Sequence, residues 1–517
     1  MRAPLFRKWE SALGAEERGG MYEGPRIEFD GLARRFARLR SRASSVCAAD
    51  RCRGWSAITV VVLVAAIPLV PRAAQAAEPS EPRNVILIIG DGMDDNQITI
   101  ARNHLVGARG KLTLDRMPVR SAVQVLAVAE EDPERVVYVA DSANSATSMS
   151  SGVVTSRGRI ATTAERDEDV VTILELARDA GMATGLVTTS SLTDATPAAF
   201  AAHVNLRGCE NPTLMESADS MGFSTGSCMA DMKRNGGRGS ISEQLAASAV
   251  DVMLGGGLEH FAPPIEGGER TVVQEAERVG YRVLEDGASL GEIGPSERVL
   301  GLFADDHLAP RWRGEGGREA EQPDPNLLNS LVWFLGSVDF PEPMGCEPNP
   351  EYGATPSLAA MTAAALGRLS ADPHRGFFLM IESASIDKQS HERNACGAIG
   401  ELQQLDEALA LSLELADRMP GTLVLVTADH GHAAQIVPEE SLFEIFDVPV
   451  YTPGHLVRLR THDGSTMAVN YATTLFYSEE HTGVHVPLFA NREGRGLVDA
   501  MIVQPDLFEI MRQHLGL

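Results

Sequence analysis

Three apolar runs in this 517-residue chain each end on a carboxylate: Asn84-Val-Ile-Leu-Ile-Ile-Gly-Asp91, Gly376-Phe-Phe-Leu-Met-Ile-Glu382 and Thr422-Leu-Val-Leu-Val-Thr-Ala-Asp429. Acids brought from distant segments to one sheet edge point to bound metal. Histidines stand close by: His430 follows Asp429, and Asp387 and His391 lie just past Glu382. A spacing of four residues stacks Asp387 and His391 on one helix face. With His481, in Glu480-His481-Thr482-Gly483, they suit the mixed O/N ligand set of a catalytic zinc with an open position; an ordinary surface pair is the plain alternative. Leu192-Thr193-Asp194-Ala195-Thr196-Pro197 offers the oxygen ligands that a harder ion such as magnesium prefers. Its competing account is a helix capped by Thr196 with Pro197 at its first position. Arg207 is expected near the far end of that helix, as a surface residue or a bidentate phosphate clamp. Ser142 lies where a strand, Val136–Ala140, gives way to a small-residue helix whose N-terminal N–H groups suit a phosphate oxyanion, although Asp141 or Ser142 there could simply be an N-cap. No G-x-S-x-G elbow is present, so an esterase triad has no support; a metal that lowers its hydroxyl pKa could activate the serine instead.

Strand and helix signals alternate nearly from end to end, which predicts an α/β fold: a three-layer sandwich with a large, mostly parallel central sheet flanked by helices. In such sheets ligands sit beyond the carboxyl ends of the strands, where the three acids would converge. Further strands are expected at Ala183–Thr189 and Ala249–Leu254, and helices at Val170–Ala180 and Glu401–Arg418, where apolar spacing is near 3.6. Stretches 262–269, 310–325 and 437–466 read as loops or insertions.

Residues 1–76 read as a leader. Seven arginines between Arg34 and Arg53 precede the apolar stretch Ala57–Val70, and Ala74-Gln75-Ala76 supplies a small-residue cleavage site. The apolar stretch contains Pro68 and is shorter than the roughly 20 residues of a membrane span. Export is therefore expected, to a periplasm in the first instance, with secretion or membrane tethering as alternatives, and residues 77–517 form the catalytic domain with its loop insertions. Net charge is −26; residues 1–76 hold 13 Lys/Arg against 7 Asp/Glu, which leaves 32 against 64, or −32, for the remainder. Such an excess of acid argues against a nucleic-acid-binding surface. Four cysteines follow the leader and allow three pairings; Cys209 with Cys228 and Cys346 with Cys396 is the expected one, against buried free thiols.

Taken in order, Asn84–Met93, Asp141-Ser142-Ala143, Thr193–Pro197, Glu382–His391, Thr427–His432 and Glu480–Gly483 resemble the motifs of bacterial alkaline phosphatases across roughly residues 82–517. The resemblance implies that Ser142 is a nucleophile that becomes phosphoserine. It implies two zinc ions per subunit, one on Asp387, His391 and His481, the other on Asp429, His430 and Asp91, and one magnesium on Asp91, Asp194, Thr196 and Glu382. Arg207 would grip the phosphate, Lys388 would assist through water, and His432 would orient a ligand. The expected substrates are diverse phosphate monoesters, with phosphate scavenging as the role and a homodimer as the assembly; the family's two-disulfide pattern fits the pairing above. Asp94 departs from the glycine common in relatives and adds charge three residues from Asp91. The alternatives are a phosphodiesterase or sulfatase of the same superfamily and a non-catalytic exported phosphate- or metal-binding protein. Asp194, Thr196, Glu382 and Arg207 favour monoesters, and Ser142 favours turnover over binding.

Overall fold

The computed structural model describes residues 83–220, 223–439, 443–449 and 452–517. The expected leader, with its apolar stretch and small-residue cleavage site, lies outside the described residues.

A ten-stranded sheet organises the chain. Its strands, in spatial order, are Met501–Val503, Val119–Gln124, Val486–Ala490, Thr422–Ala428, Asn84–Gly90, Phe377–Ser383, Ala183–Ser191, Val252–Gly256, Arg298–Leu302 and Tyr281–Leu284. Every neighbouring pair is parallel except those made by Val486–Ala490, which runs antiparallel to both its neighbours. Every residue of Asn84–Gly90, Phe377–Ser383 and Thr422–Ala428 is buried. Such strands must be covered on both faces, which is why they read as continuous apolar runs rather than alternating ones. The long helix Ala395–Arg418 packs on the sheet together with Leu358–Leu369, and Asp95–Leu105 packs against Ala395–Arg418; a separate helix group, Ser142–Ser151, Ile173–Asp179, Ala195–Ala201 and Asp506–Leu515, also reaches the sheet. The expected three-layer α/β architecture is the observed one.

Register brings the chemistry together. Ile89 pairs with Glu382 on one side and with Thr427 on the other. Asp91 and Asp429 therefore leave the ends of adjacent strands, while Glu382 is the penultimate residue of the third. At Gly92 the chain takes φ +68°, and a Cβ there would sit 3.2 Å from the Cα of Asp387. Glycine satisfies both demands and lets the Asp91 loop close against the Asp387 helix.

Several local expectations differ from the structure. Val136–Ala140 is not a core strand: Asp132–Val137 forms an antiparallel hairpin with Ala127–Ala129, outside the large sheet. Segment 437–466 is not loop alone, because His455–Arg460 belongs to a three-stranded sheet with Gln435–Val437 and Thr466–Tyr471. Thr196 does not cap its helix. Asp194 does, accepting from the Ala195 N–H, and the helix spans Ala195–Ala201; it ends six residues before Arg207, which sits in the following loop with its N–H bonded to the Gly158 carbonyl at 2.7 Å. Disulfides join Cys209 to Cys228 and Cys346 to Cys396.

Candidate active site

Ser142 is the first residue of the helix Ser142–Ser151, which Asp141 caps. The Asp141 carboxylate accepts from the Asn144 N–H and the Asn144 side chain accepts from the Asp141 N–H, a reciprocal box that fixes the helix start. The other Asp141 oxygen accepts from the Gly158 N–H at 3.0 Å. Ser142 is thus held with its hydroxyl 3.3 Å from His430 Nε2 and 3.5 Å from Asp91 Oδ2. His430 Nε2 also lies 3.4 Å from Asp91 and 3.3 Å from Asp429.

A second cluster adjoins the first, with the His430 and His481 rings stacked at 3.7 Å between centroids. Asp387 and His391 stand four apart on the helix Ser385–His391, and their side chains are 3.4 Å apart. His481 donates Nδ1–H to the Ala140 carbonyl at 2.9 Å, and His391 uses Nδ1 in the same way toward the Glu479 carbonyl. Each therefore turns an Nε2 lone pair inward, and the two Nε2 atoms face one another at 3.1 Å. Opposed lone pairs repel unless a cation lies between them. His432 has the other tautomer. Its Nδ1 accepts from the Ala433 N–H at 2.8 Å, so Nε2 bears the proton and points at Asp387 Oδ1, 3.2 Å away. That makes it a residue that orients Asp387 rather than one that offers a lone pair.

The buried acids test whether metal fits. Among the described residues, Asp91 Oδ1, Asp387 Oδ1, Asp429 Oδ2, Glu382 Oε1 and Thr196 Oγ1 are buried without a well-aligned hydrogen bond. The Thr196 hydroxyl is near enough to favour the charge of Glu382, yet it too is poorly aligned. Burial first, then Asp387, Asp429 and Glu382, pushes Asp91 well above the usual carboxylate range. Burial raises Glu382 to about 7 and Asp429 to about 6. Burial also works against ionised Asp387, but His391, His432 and His481 outweigh it and hold that carboxyl low. Uncompensated buried oxygens are costly. Oxygen and imidazole donors converging from five segments are what divalent cations satisfy, and two groups lie within ligating reach: Asp387, His391 and His481, with His432 beside them as the donor that orients Asp387, and Asp91, Asp429 and His430.

Asp194 behaves differently from the expected ligand set. Its two oxygens already carry cationic partners: Arg207 at 2.8 Å and Lys388 at 2.5 Å. Burial disfavours the Asp194 charge, but Lys388 and Arg207 overcome it and hold the carboxyl well below its ordinary value. Reciprocally, burial opposes the charge on Lys388, and Asp194, Asp91 and Asp387 outweigh it, so the ammonium stays charged. Arg207 reaches Asp141 as well, at 3.5 Å. Asp194 is thus the hub that holds two cations beside Ser142, and the open oxygen donors nearby are Asp91, Thr196 and Glu382. Asp94 does not face the cluster as a loose charge: it caps Asp95–Leu105, accepting from the Asn96 and Gln97 N–H groups at 2.9 and 3.1 Å. Residues that motif reading did not single out include Arg393, whose 2.7 Å ion pair with Glu479 ties down the loop leading to His481; only the three-dimensional pairing of 393 with 479 exposes it.

Fold and site define a metallohydrolase of the open α/β class, with a serine hydroxyl at the meeting point of two His/Asp clusters. A family profile described as alkaline phosphatase matches residues 82–517. The streptomycin-6-phosphate phosphatase of Streptomyces griseus is 40% identical over 84% of this chain and 91% of its own length. The alkaline phosphatase of Escherichia coli is 39% identical over 84% of this chain and 86% of its own. In fold, the chain is similar to an alkaline phosphatase from the Antarctic bacterium TAB5, with TM-score 0.60 at 22% identity over 84% of this chain and 99% of that one. The chain belongs to the alkaline phosphatase family, and it is a metal-dependent phosphomonoesterase.

Proposed function

We propose that the chain hydrolyses phosphate monoesters through a covalent phosphoserine on Ser142. The observation that carries this reading is the position of the Ser142 hydroxyl, at a capped helix N-terminus and 3.3 Å from His430 in a cluster of buried acids. Two zinc ions are proposed, one on Asp387, His391 and His481 and one on Asp91, Asp429 and His430, with one magnesium beside Asp91, Thr196 and Glu382 and the Asp194 hub next to it. When bound, these ions supply positive charge that lowers the pKa of a nearby hydroxyl or water and stabilises negative charge as it develops.

Ser142 gives up its proton to solvent water and attacks phosphorus; the Oγ–P bond forms as the bond to the alcohol breaks, and the alcohol oxygen departs with the electron pair and takes up a proton from water. Arg207 holds the equatorial oxygens, over which transition-state charge is spread. Lys388, kept charged by Asp194, adds a second cation to the same region. Water then attacks the phosphoserine, returning the serine hydroxyl and releasing inorganic phosphate. The grip falls on the phosphoryl group, which supports a broad range of alcohols and a scavenging role. A homodimer in the periplasm, exported by the leader, completes the proposal; among the described residues no helix is long and apolar enough to cross a membrane.

Acid quench after mixing with a 32P-labelled monoester tests the mechanism. Label should appear on Ser142 in the parent and be absent from Ser142→Ala with zinc content unchanged; label at any other residue would refute the assignment.

A further inference from the structure

Asp194 can set Arg207 and Lys388 only if its own backbone is fixed, and the turn that carries it is held from two directions. Within the turn, the Asp194 N–H bonds to the Ser191 carbonyl at 3.1 Å. From one side, His307 Nδ1 accepts the Ser191 N–H at 3.0 Å. Burial first, then the charge of Lys388, lowers the pKa of His307 to about 3, which keeps the ring neutral and that lone pair available. From the other side, Thr193 Oγ1 donates to Glu210 Oε2 at 2.5 Å. The single Thr193 hydroxyl proton is committed there, so the Ser191 hydroxyl, 2.7 Å away, must donate to Thr193.

Glu210 is itself oriented. His260 Nε2 lies 3.2 Å from Glu210 Oε2, and Asn211 Nδ2 lies 3.0 Å from His260 Nδ1. The Asn211 amide cannot be turned around, because its oxygen accepts from the Thr213 N–H and hydroxyl at 2.9 and 2.7 Å. Asn211 therefore donates to Nδ1, the ring proton sits on Nε2, and His260 donates to Glu210. Glu259, His260 and Asp306 gather closely enough to resemble another cation site. With its proton on Nε2, His260 has no lone pair to offer there and is a donor in a hydrogen-bond chain.

The contacts close a ring. Asp194 pairs with Arg207, Glu210 follows Arg207 by three residues, and Glu210 returns to the Asp194 turn through Thr193. We propose that His307 and the Glu210–His260 pair are positioning residues that brace the Ser191–Asp194 turn and thereby aim Arg207 and Lys388 at the phosphoryl group. This rests on the reading of Arg207 as the phosphate grip.

The test uses the full enzyme loaded with zinc and magnesium, with inorganic phosphate as probe. Phosphate Kd is measured by titration calorimetry, metal content by elemental analysis, and KM and kcat separately. Glu210→Ala and His307→Ala should weaken phosphate about 5- to 10-fold, the loss of a buried hydrogen bond, and raise KM more than they lower kcat. Metal content should stay at the parent's. His307→Asn, whose amide oxygen can accept the Ser191 N–H, should recover phosphate affinity to within about twofold, a rescue that one hydrogen bond's worth of binding predicts. Phosphate Kd in the alanine variants within about twofold of the parent, on the same scale, would overturn the brace while leaving the grip intact, provided Arg207→Ala still binds phosphate weakly. Unchanged affinity in Arg207→Ala would overturn grip and brace together. Loss of metal in step with phosphate would overturn the brace as stated, since the network would then serve the metal sites. His307 is 32% exposed on its side chain, so its variants carry the test even if Glu210→Ala unfolds.

Discussion

At Ser142 a short hydroxyl side chain is given unusual surroundings by groups that are individually ordinary. Asp141 holds the helix start, His430 and Asp91 face the oxygen, and Arg207 and Lys388 stand behind Asp194. Arg207→Ala removes a charge-assisted contact, and such contacts are worth about 1.5 to 3 kcal/mol. Phosphate binding should weaken by roughly 10- to 150-fold, while phosphoserine still forms; equilibrium binding beside single-turnover labelling separates the two. His432 offers a proton rather than a lone pair to Asp387. His432→Ala should therefore lower zinc affinity by about 10- to 100-fold, the usual consequence of losing a group that orients a ligand, and competition with a coloured chelator would measure it. Ser142, Asp387, His391, His430 and His481 stand out in the sequence through the order of motifs that resembles the alkaline phosphatase family, since by themselves an N-cap or an ordinary Asp/His pair accounts for them, and the structure brings the five together. Glu210, His260 and His307 do not stand out, because each matters only through a partner distant in the chain. Asp94 shows the converse: read as added charge near Asp91, it proves to be occupied by the start of its own helix.

Among the elements, the three runs ending in acids translated directly into strands, since a short continuous apolar run fits a strand covered on both faces of a sheet. Val136–Ala140 has the same local look but ends a hairpin, and composition over five residues does not distinguish a core strand from a paired edge. Arg207 lies beyond the helix after Asp194 rather than near its far end for a related reason: that helix ends at Ala201, and the following segment is shaped by the Cys209–Cys228 disulfide and by turns. Disulfides of this kind typically contribute about 2 to 4 kcal/mol. Reduction should lower the unfolding midpoint, and a thiol titration of the unreduced mature chain should find none of the four cysteines free. The same segment contains Asp231, which accepts the Asn205 N–H at 3.1 Å, two residues from Arg207. Burial raises its carboxyl to about 6. Because the folded pKa lies above the unfolded one, the folded form holds the proton more tightly, and stability falls as pH rises from about 4 through 6. Asp231→Asn keeps an acceptor and discards the charge, so it should gain about 1 to 2 kcal/mol at pH 8, less than the full shift because the side chain is partly exposed, and nothing at pH 4. Denaturant unfolding at the two pH values would show it; an equal effect at both would mean that the charge is not the cause.

For the whole molecule, the sheet places a cluster of buried acids at the carboxyl ends of its central strands, and their mutual repulsion connects metal content to stability. Removal of metal leaves Asp91, Glu382 and Asp429 to share a buried space without cationic compensation. A chelator should lower the melting temperature as well as abolish turnover, and zinc with magnesium should restore both; a melting temperature indifferent to chelation would mean that the clusters do not hold structural charge. The acidic balance of the chain after residue 76, −32, fits a small-molecule enzyme and not one that binds polyanions. The most direct test of the central claim is kcat/KM for an aryl phosphate monoester against the matching diester at alkaline pH, on residues 77–517 loaded with zinc and magnesium. A large preference for the monoester, lost on chelation and regained with metal, is the predicted result; preference for the diester, or turnover that survives metal removal, would contradict it.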